Sequence, residues 1–262
     1  MPELPDVERF RRVLCEHAVG ETVRSVEVRD PGVIRATTAE LFAARLTHRR
    51  FVGSERIGKW LIARTGGPCL VVHFGMTGSL EWVPSGTDAQ ALDRVRFEFA
   101  DGWLVYRDQR KLRGLWLAEG GEGALSATIG EIGPDALGLD PEQLADRLEH
   151  HRGALKARLM DQRVIAGLGN MLSDETLWRA HIHPRRSFGD LADDERRRLS
   201  RCLQQVLQAS VRAGMIPRTR TWLSSQRAVP HPRCPRDHEA LHVERIGGRT
   251  SYFCTRCQPA TG

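Results

Sequence analysis

The apolar period of this 262-residue chain changes from strand-like to helical near its middle, and that change limits what it can fold into. From Thr22 to about Leu117 the pattern is one of short alternating or apolar runs: TVRSVEVRD, RRFVGSERIGKWLIART, CLVVHFGMTGSLEWV, RVRFEFADGWLVYRD and GLWLAE. Turns such as Asp101-Gly102 divide them, and strands at this spacing predict an antiparallel sandwich or barrel. After Pro134 the spacing becomes helical in PEQLADRLEHH, GALKARLMDQRVI, NMLSDETLWRAH and LADDERRRLSRCLQQVLQASVRAG. The second and third of these are separated by Ala166-Gly167-Leu168-Gly169-Asn170, where two glycines permit tight turns. Ahead of the strands, residues 5–18 set Val7, Phe10, Val13, Leu14 and Ala18 on one helical face. The expected fold class is therefore α+β and multidomain: an N-terminal β-sandwich with a leading helix over residues 1–120, a glycine-rich linker over 121–135, a helical domain over 136–226 and a small C-terminal unit over 227–262.

No apolar run approaches the ~20 residues of a membrane span, and the arginine-studded N-terminus lacks the apolar core of a secretory signal. A cytoplasmic protein without a membrane partner is expected. The formal net charge is +6, which suits a polyanionic partner, with nucleic acid the leading candidate. Nearly all of the basic residues are arginine; the three lysines are Lys59, Lys111 and Lys156, so each of them marks a place where a compact point charge or a titratable amine is wanted.

The chain opens Met1-Pro2-Glu3-Leu4-Pro5-Asp6-Val7-Glu8. If Met1 is removed, Pro2 presents a free secondary amine beside a carboxyl group. A terminal amine titrates near ~7.7–8, so part of it is unprotonated at neutral pH and can attack a sugar carbon to give an iminium. The plainer reading of the same residues is a helix start, with Pro5 in the first turn and Asp6 and Glu8 complementing the dipole.

Four further constellations carry chemistry. In CPRDHEALHVERIGGRTSYFCTRC, Cys254 and Cys257 form a CxxC pair, Cys234 lies twenty residues before Cys254, and a hairpin turning at Gly247-Gly248 joins them. This is the pattern of a zinc ribbon, with one structural zinc per chain. The fourth ligand is either Asp237, at the CxxC position, or His238, preferred here as the softer donor. Arg249, just past the hairpin turn, is either a bidentate phosphate ligand or a solvated tip charge. Asn170 and Lys156 read equally as a phosphate site at a helix start and as an ordinary cap with an exposed lysine. Finally, HFGMTGSL and the loop DQRKLRG offer Met76 with Arg110 and Leu112 as a wedge for a base stack; the plainer reading is a core filler beside a solvated loop.

Together, MPELPDVE, GKW, HFGMTGSL, DQRKLRG, LMDQRVIAGLGNMLSDETLW and GGRTSYFCTRCQ resemble, in order, the motifs of the formamidopyrimidine-DNA glycosylase and endonuclease VIII family. The resemblance spans nearly the whole chain. It implies a helix-two-turns-helix motif in the helical domain, and a bifunctional DNA glycosylase and abasic-site lyase acting on double-stranded DNA at the nucleoid; a monomer is the default expectation. It implies that Pro2 attacks the anomeric carbon and that Glu3 protonates the sugar ring oxygen, with Glu175 orienting this machinery. Lys59, Lys156, Asn170 and Arg249 would grip phosphates, and Met76, Arg110 and Leu112 would fill the hole left by a flipped base. The chain departs from the family pattern at Asp6, where Glu is usual, at Leu112-Arg113 in place of Phe-Gly, and at the missing ribbon cysteine. Competing expectations are an endonuclease VIII-like enzyme for oxidised pyrimidines or bare abasic sites, and a non-catalytic damage-sensing DNA-binding protein.

Overall fold

A computed structural model describes residues 1–149 and 152–260. It divides into two compact units, residues 1–2 with 6–131 and residues 3–5 with 132–262.

In the first unit α1 (Leu4–His17) is followed by β1 (Ser25–Val28), α2 (Ala39–Leu46), β2 (Phe51–Ile57), β3 (Trp60–Thr65), β4 (Cys69–His73), β5 (Ser79–Pro84), β6 (Asp93–Glu98), β7 (Gly102–Arg107), β8 (Gly114–Ala118) and α3 (Glu122–Ile129). The strands make two four-stranded antiparallel sheets, in the orders β1-β6-β7-β5 and β2-β3-β4-β8. This is the expected sandwich. Phe10 and Leu14 of α1 join Phe51, Leu61, Phe74, Phe97, Leu104 and Tyr106 in one core, and each such side chain contributes roughly 1.5–3 kcal/mol on burial. The runs Trp60–Ala63 and Cys69–Val72 are buried at every residue, which explains why they read as continuously apolar. Ile57 pairs with Trp60, so Gly58 and Lys59 form a two-residue hairpin turn, with Gly58 at φ +59.

The expected linker is corrected by α3. The glycines that marked it as a linker, Gly121 and Gly130, stand at the two caps with φ +75 and +78. Between them Glu122, Ala124, Leu125 and Ala127 are good helix formers and outweigh Gly123, Leu125 is buried, and Glu122 pairs with Arg64 at 2.7 Å.

The second unit holds α4 (Pro141–Glu149), α5 (Leu155–Met160), α6 (Asn170–Arg179), α7 (Asp193–Ala213), and the hairpin of β9 (His242–Ile246) and β10 (Arg249–Phe253). The helix expected over 141–151 is α4, whose last two expected positions lie outside the described residues, as do residues 261 and 262 of the finger. Leu4, Leu155, Leu159, Leu168, Leu172, Leu177, Leu203 and Leu207 share its main core. In α7 the Glu195 carboxylate accepts the Ala192 N–H at 2.9 Å, and Gly214 at φ +69 closes the C-terminus. The finger is counted within this unit: Cys234, Cys254, Cys257 and Leu241 pack with Trp178 of α6 and Leu223. Among the described residues no helix is long and apolar enough to cross a membrane.

Candidate active site and metal centre

Between α5 and α6 the chain makes two turns, and Gln162 holds both. Its Oε1 accepts the Gly167 N–H at 3.0 Å, and its Nε2 donates to the carbonyls of Leu168 and Met160 at 2.8 Å. The outcome is a helix start whose free amides point at one side chain. Glu3 Oε2 accepts from Gly169 N at 3.0 Å and Leu172 N at 3.1 Å, and Oε1 accepts from Met171 N at 2.9 Å. Leu4 N donates to the Gly167 carbonyl at 3.1 Å, so backbone and side chain of the segment are both tied down. Glu3 is 1% exposed. A carboxyl group seated on helix-terminal amides in this way has one fixed position.

Asn170 is the first residue of α6, and Gly169 is its cap. This corrects the expected N-cap. Instead of bonding its own helix, the Asn170 Nδ2 donates to the Thr250 carbonyl of β10 at 2.9 Å, while its Oδ1 is buried without a hydrogen-bond partner. Lys156 is corrected more sharply. Its ammonium is 0% exposed, paired with Asp174 at 2.7 Å and bonded to Ser251 Oγ. Burial pushes its pKa down, against the pull of Asp174. It is not an exposed helix lysine. Glu175 is likewise buried, paired with Arg179 at 2.8 Å and accepting the Ser224 N–H at 3.3 Å. Burial outweighs the attraction of Arg179 and lifts its pKa to about 7. Arg249 is exposed at the start of β10, and its guanidinium has no partner among the described residues.

In the first unit the wedge candidates come together. The Gly75 turn packs on the 112–113 loop: a Cβ on Gly75 would lie 3.6 Å from Leu112 Cβ. Arg110 Nη1 lies 3.0 Å from Met76 Sδ, and Leu112 is 52% exposed. Asp108, which is buried, holds the two loops. Its Oδ1 accepts from Thr77 Oγ1 at 2.6 Å and from Arg110 N at 3.0 Å, and its Oδ2 accepts from Tyr106 OH at 3.1 Å. Close by, His73 ends β4 and accepts the Gly75 N–H on Nδ1 at 3.0 Å. Burial, then Arg113 and Lys59, lower its pKa to about 4, so it is neutral at pH 7 and carries its proton on Nε2. His73 is thus a donor set among cations, which the sequence reading missed.

In the finger, Cys234, Asp237, Cys254 and Cys257 bring one ligand atom each to within 4.8 Å of one another. Asp237 Oδ2 lies 3.0 Å from Cys257 Sγ and 3.4 Å from Cys254 Sγ. Three thiols and a carboxylate converging in this way fit a tetrahedral metal site. The preference for His238 is corrected. His238 has φ +60, donates its N–H to the Cys234 carbonyl at 2.9 Å, and leaves its ring exposed outside the group. Cys234-x-x-Asp237 repeats the spacing of Cys254-x-x-Cys257, and that spacing overrides donor softness.

Residues 1–115 match the family model described as the formamidopyrimidine-DNA glycosylase N-terminal domain, and residues 132–220 match the formamidopyrimidine-DNA glycosylase H2TH domain. The proteins named formamidopyrimidine-DNA glycosylase from Symbiobacterium thermophilum and Bacillus subtilis are 36% and 32% identical to it, the alignments covering 99% and 98% of this chain and 90% and 99% of theirs. The chain belongs to the formamidopyrimidine-DNA glycosylase family.

Solved structures agree. The Lactococcus lactis formamidopyrimidine-DNA glycosylase bound to DNA containing N7-benzyl-Fapy-dG superposes with a TM-score of 0.85 at 29% identity, covering 98% of this chain and all of that one. The same enzyme with DNA containing an abasic site gives 0.85 at 28% identity and 98% coverage of this chain. Asp237 completes the group formed by the three finger cysteines. Asp174, Asp108 and Gln162, which organise the turns that carry the candidate residues, escaped the sequence reading. The only available signal for Gln162 and Asp174 was their place inside the matching segment LMDQRVIAGLGNMLSDETLW.

Proposed function

We propose that this member of the family is a bifunctional DNA glycosylase and abasic-site lyase that uses Pro2, once Met1 is removed, as its nucleophile. The Pro2 nitrogen bonds to the anomeric carbon of the damaged nucleotide as the bond from that carbon to the base breaks, and the base leaves. Glu3 handles the proton at the sugar ring oxygen; opening of the ring gives an iminium. The iminium acidifies the neighbouring sugar hydrogen, and β then δ elimination release the two flanking phosphates. The observation that carries this reading is the three-amide seat of Glu3, which fixes the carboxyl one residue from the proposed nucleophile.

Arg249 and Lys59 contact phosphates in this reading, Asn170 braces the strand beside Arg249, and His73 adds a neutral donor near Lys59. Met76, Arg110 and Leu112 fill the space of the flipped base, which offsets part of the few kcal/mol that flipping costs. The metal is zinc, held by Cys234, Asp237, Cys254 and Cys257, and it fixes the finger; no bond-making step passes through it. The enzyme acts as a monomer on double-stranded DNA in the cytoplasm. The exposed Leu112, in place of an aromatic wedge, favours oxidised pyrimidines or bare abasic sites as a second reading of the substrate.

Borohydride reduction of the Met1-processed protein with abasic duplex DNA tests the mechanism. The expected result is a covalent adduct that mass spectrometry places on the leading peptide. An adduct on an internal peptide moves the nucleophile to a lysine, and no adduct supports a DNA-binding protein without catalysis. Incision of duplexes carrying single lesions of different kinds separates the two substrate readings.

A further inference from the structure

A buried charge that gathers several partners in the second unit is Asp174, on α6 just beyond the amides that seat Glu3. Its carboxylate faces Lys156 Nζ of α5 at 2.7 Å, the Arg227 guanidinium of the 223–228 turn, and the Tyr252 N–H of β10 at 3.1 Å. Much of what it gathers belongs to, or touches, β10. Lys156 also reaches Ser251 Oγ and, at 3.4 Å, the Thr250 carbonyl. That same carbonyl accepts Asn170 Nδ2, and the Arg227 guanidinium lies 4.7 Å from the centre of the Tyr252 ring. Arg249 is the residue next to Thr250. Two buried or half-buried cations share one carboxylate, so without it Lys156 and Arg227 repel each other in poorly solvated surroundings. Lys156 also lies close enough to Glu3 for the charge of Glu3 to act on its proton affinity.

We propose that Asp174 is a positioning residue that fixes Arg249 of the finger relative to the Glu3 carboxyl, so that the phosphate contact and the proton-handling group share one frame. This rests on the phosphate role given above to Arg249. Asp174 touches no substrate. It acts through Lys156, Arg227 and the backbone of β10.

A double-mutant cycle on the full-length, Met1-processed, zinc-loaded protein tests the proposal with Asp174→Asn, Arg249→Ala and the pair. Asparagine keeps the shape and an acceptor for Tyr252 N–H but removes the charge. The probe is a duplex carrying a tetrahydrofuran abasic analogue, and binding is followed against salt, with zinc content confirming an intact finger. Asp174→Asn is expected to weaken binding by roughly tenfold and to reduce the salt slope by about one, as Arg249→Ala does. If Asp174 acts by placing Arg249, the pair binds no worse than Arg249→Ala within about twofold. Losses that multiply, or an Asp174→Asn protein with the wild-type salt slope, overturn the proposal. If Asp174→Asn loses zinc, Asp174→Leu combined with Lys156→Met removes one charge of each sign, and the same slope change is required of it. An Arg249→Ala protein that keeps the wild-type slope overturns the phosphate role itself, a result separable from failure of the Asp174 coupling.

Discussion

Glu3 fills the space that a side chain on Gly169 would need. A Cβ on Gly169 would lie 2.3 Å from Glu3 Cδ, while the Gly169 N–H donates to Glu3 Oε2 at 3.0 Å. The glycine is required for close approach and not for backbone conformation, because its φ of −125° is open to any residue. Gly169→Ala is therefore expected to push the carboxyl off its amides while leaving the fold in place. The rate of borohydride trapping should fall by about a hundredfold, comparable to loss of a preorganised hydrogen bond in other active sites. Trapping at the wild-type rate, with the alanine methyl accommodated, would show that the seat of Glu3 is not needed.

A second prediction concerns Asp108, whose carboxylate accepts from three groups, the Thr77 hydroxyl, the Tyr106 hydroxyl and the Arg110 amide, while that amide also donates to Thr77 Oγ1 at 3.0 Å. Asp108→Asn removes the charge that strengthens these bonds and forces the Tyr106 hydroxyl to turn from donor to acceptor, at a cost of roughly 1–3 kcal/mol. The loops carrying Met76 and Arg110 then lose their register. Incision at a lesion inside a fully paired duplex is expected to fall more than cleavage at a bare abasic site, where there is no base to displace. Fluorescence of 2-aminopurine beside the lesion measures the flipping step; equal losses on both substrates would place Asp108 in general stability alone.

How much of this was legible in the sequence depends on how far apart in the chain the partners lie. The sandwich, the helical unit and the CxxC knuckle are local patterns, and each stood in the residues. The α3 helix did not, because glycine at its two caps outweighed the helix formers between them in a composition count. Lys156 looked like a surface residue because its partner Asp174 comes from another helix, and burial of a lysine is uncommon enough that spacing argues against it. The same holds for Glu3, whose amide donors lie far along the chain in Gly169, Met171 and Leu172. The choice of His238 over Asp237 failed for a geometric reason: ligand softness was weighed, but the turn that carries the ligand was not.

That correction makes a third prediction. Asp237→Ala should leave the protein with three thiols and lower zinc occupancy in a competition with a chromogenic chelator, and the finger should lose its protection from protease. His238→Ala should hold zinc as the wild type does. Removal of the metal by chelation should also abolish DNA binding through Arg249 while leaving the first unit folded, since a segment this short depends on its metal for structure. Equal zinc loss in both variants would mean that the ring and the carboxylate exchange as ligands.

The last prediction is a pH dependence. Glu175 is fully buried and its pKa is lifted from 4.5 to about 7, first by burial, with Arg179 opposing. A carboxyl group whose folded pKa lies above its unfolded value binds more protons in the folded state throughout the interval between them. Its contribution to stability is complete below about pH 4.5, is withdrawn as pH rises, and is gone above about pH 7. A shift of this size corresponds to roughly 3 kcal/mol across the window. Glu175→Gln cannot titrate, so the difference in unfolding free energy between variant and wild type should grow in the variant's favour from pH 5 to pH 8. Urea denaturation of both proteins at the two pH values measures it. The Ser224 N–H keeps an acceptor in glutamine, so the 223–228 turn is expected to stay in place, and parallel curves would show that Glu175 keeps an ordinary pKa despite its burial.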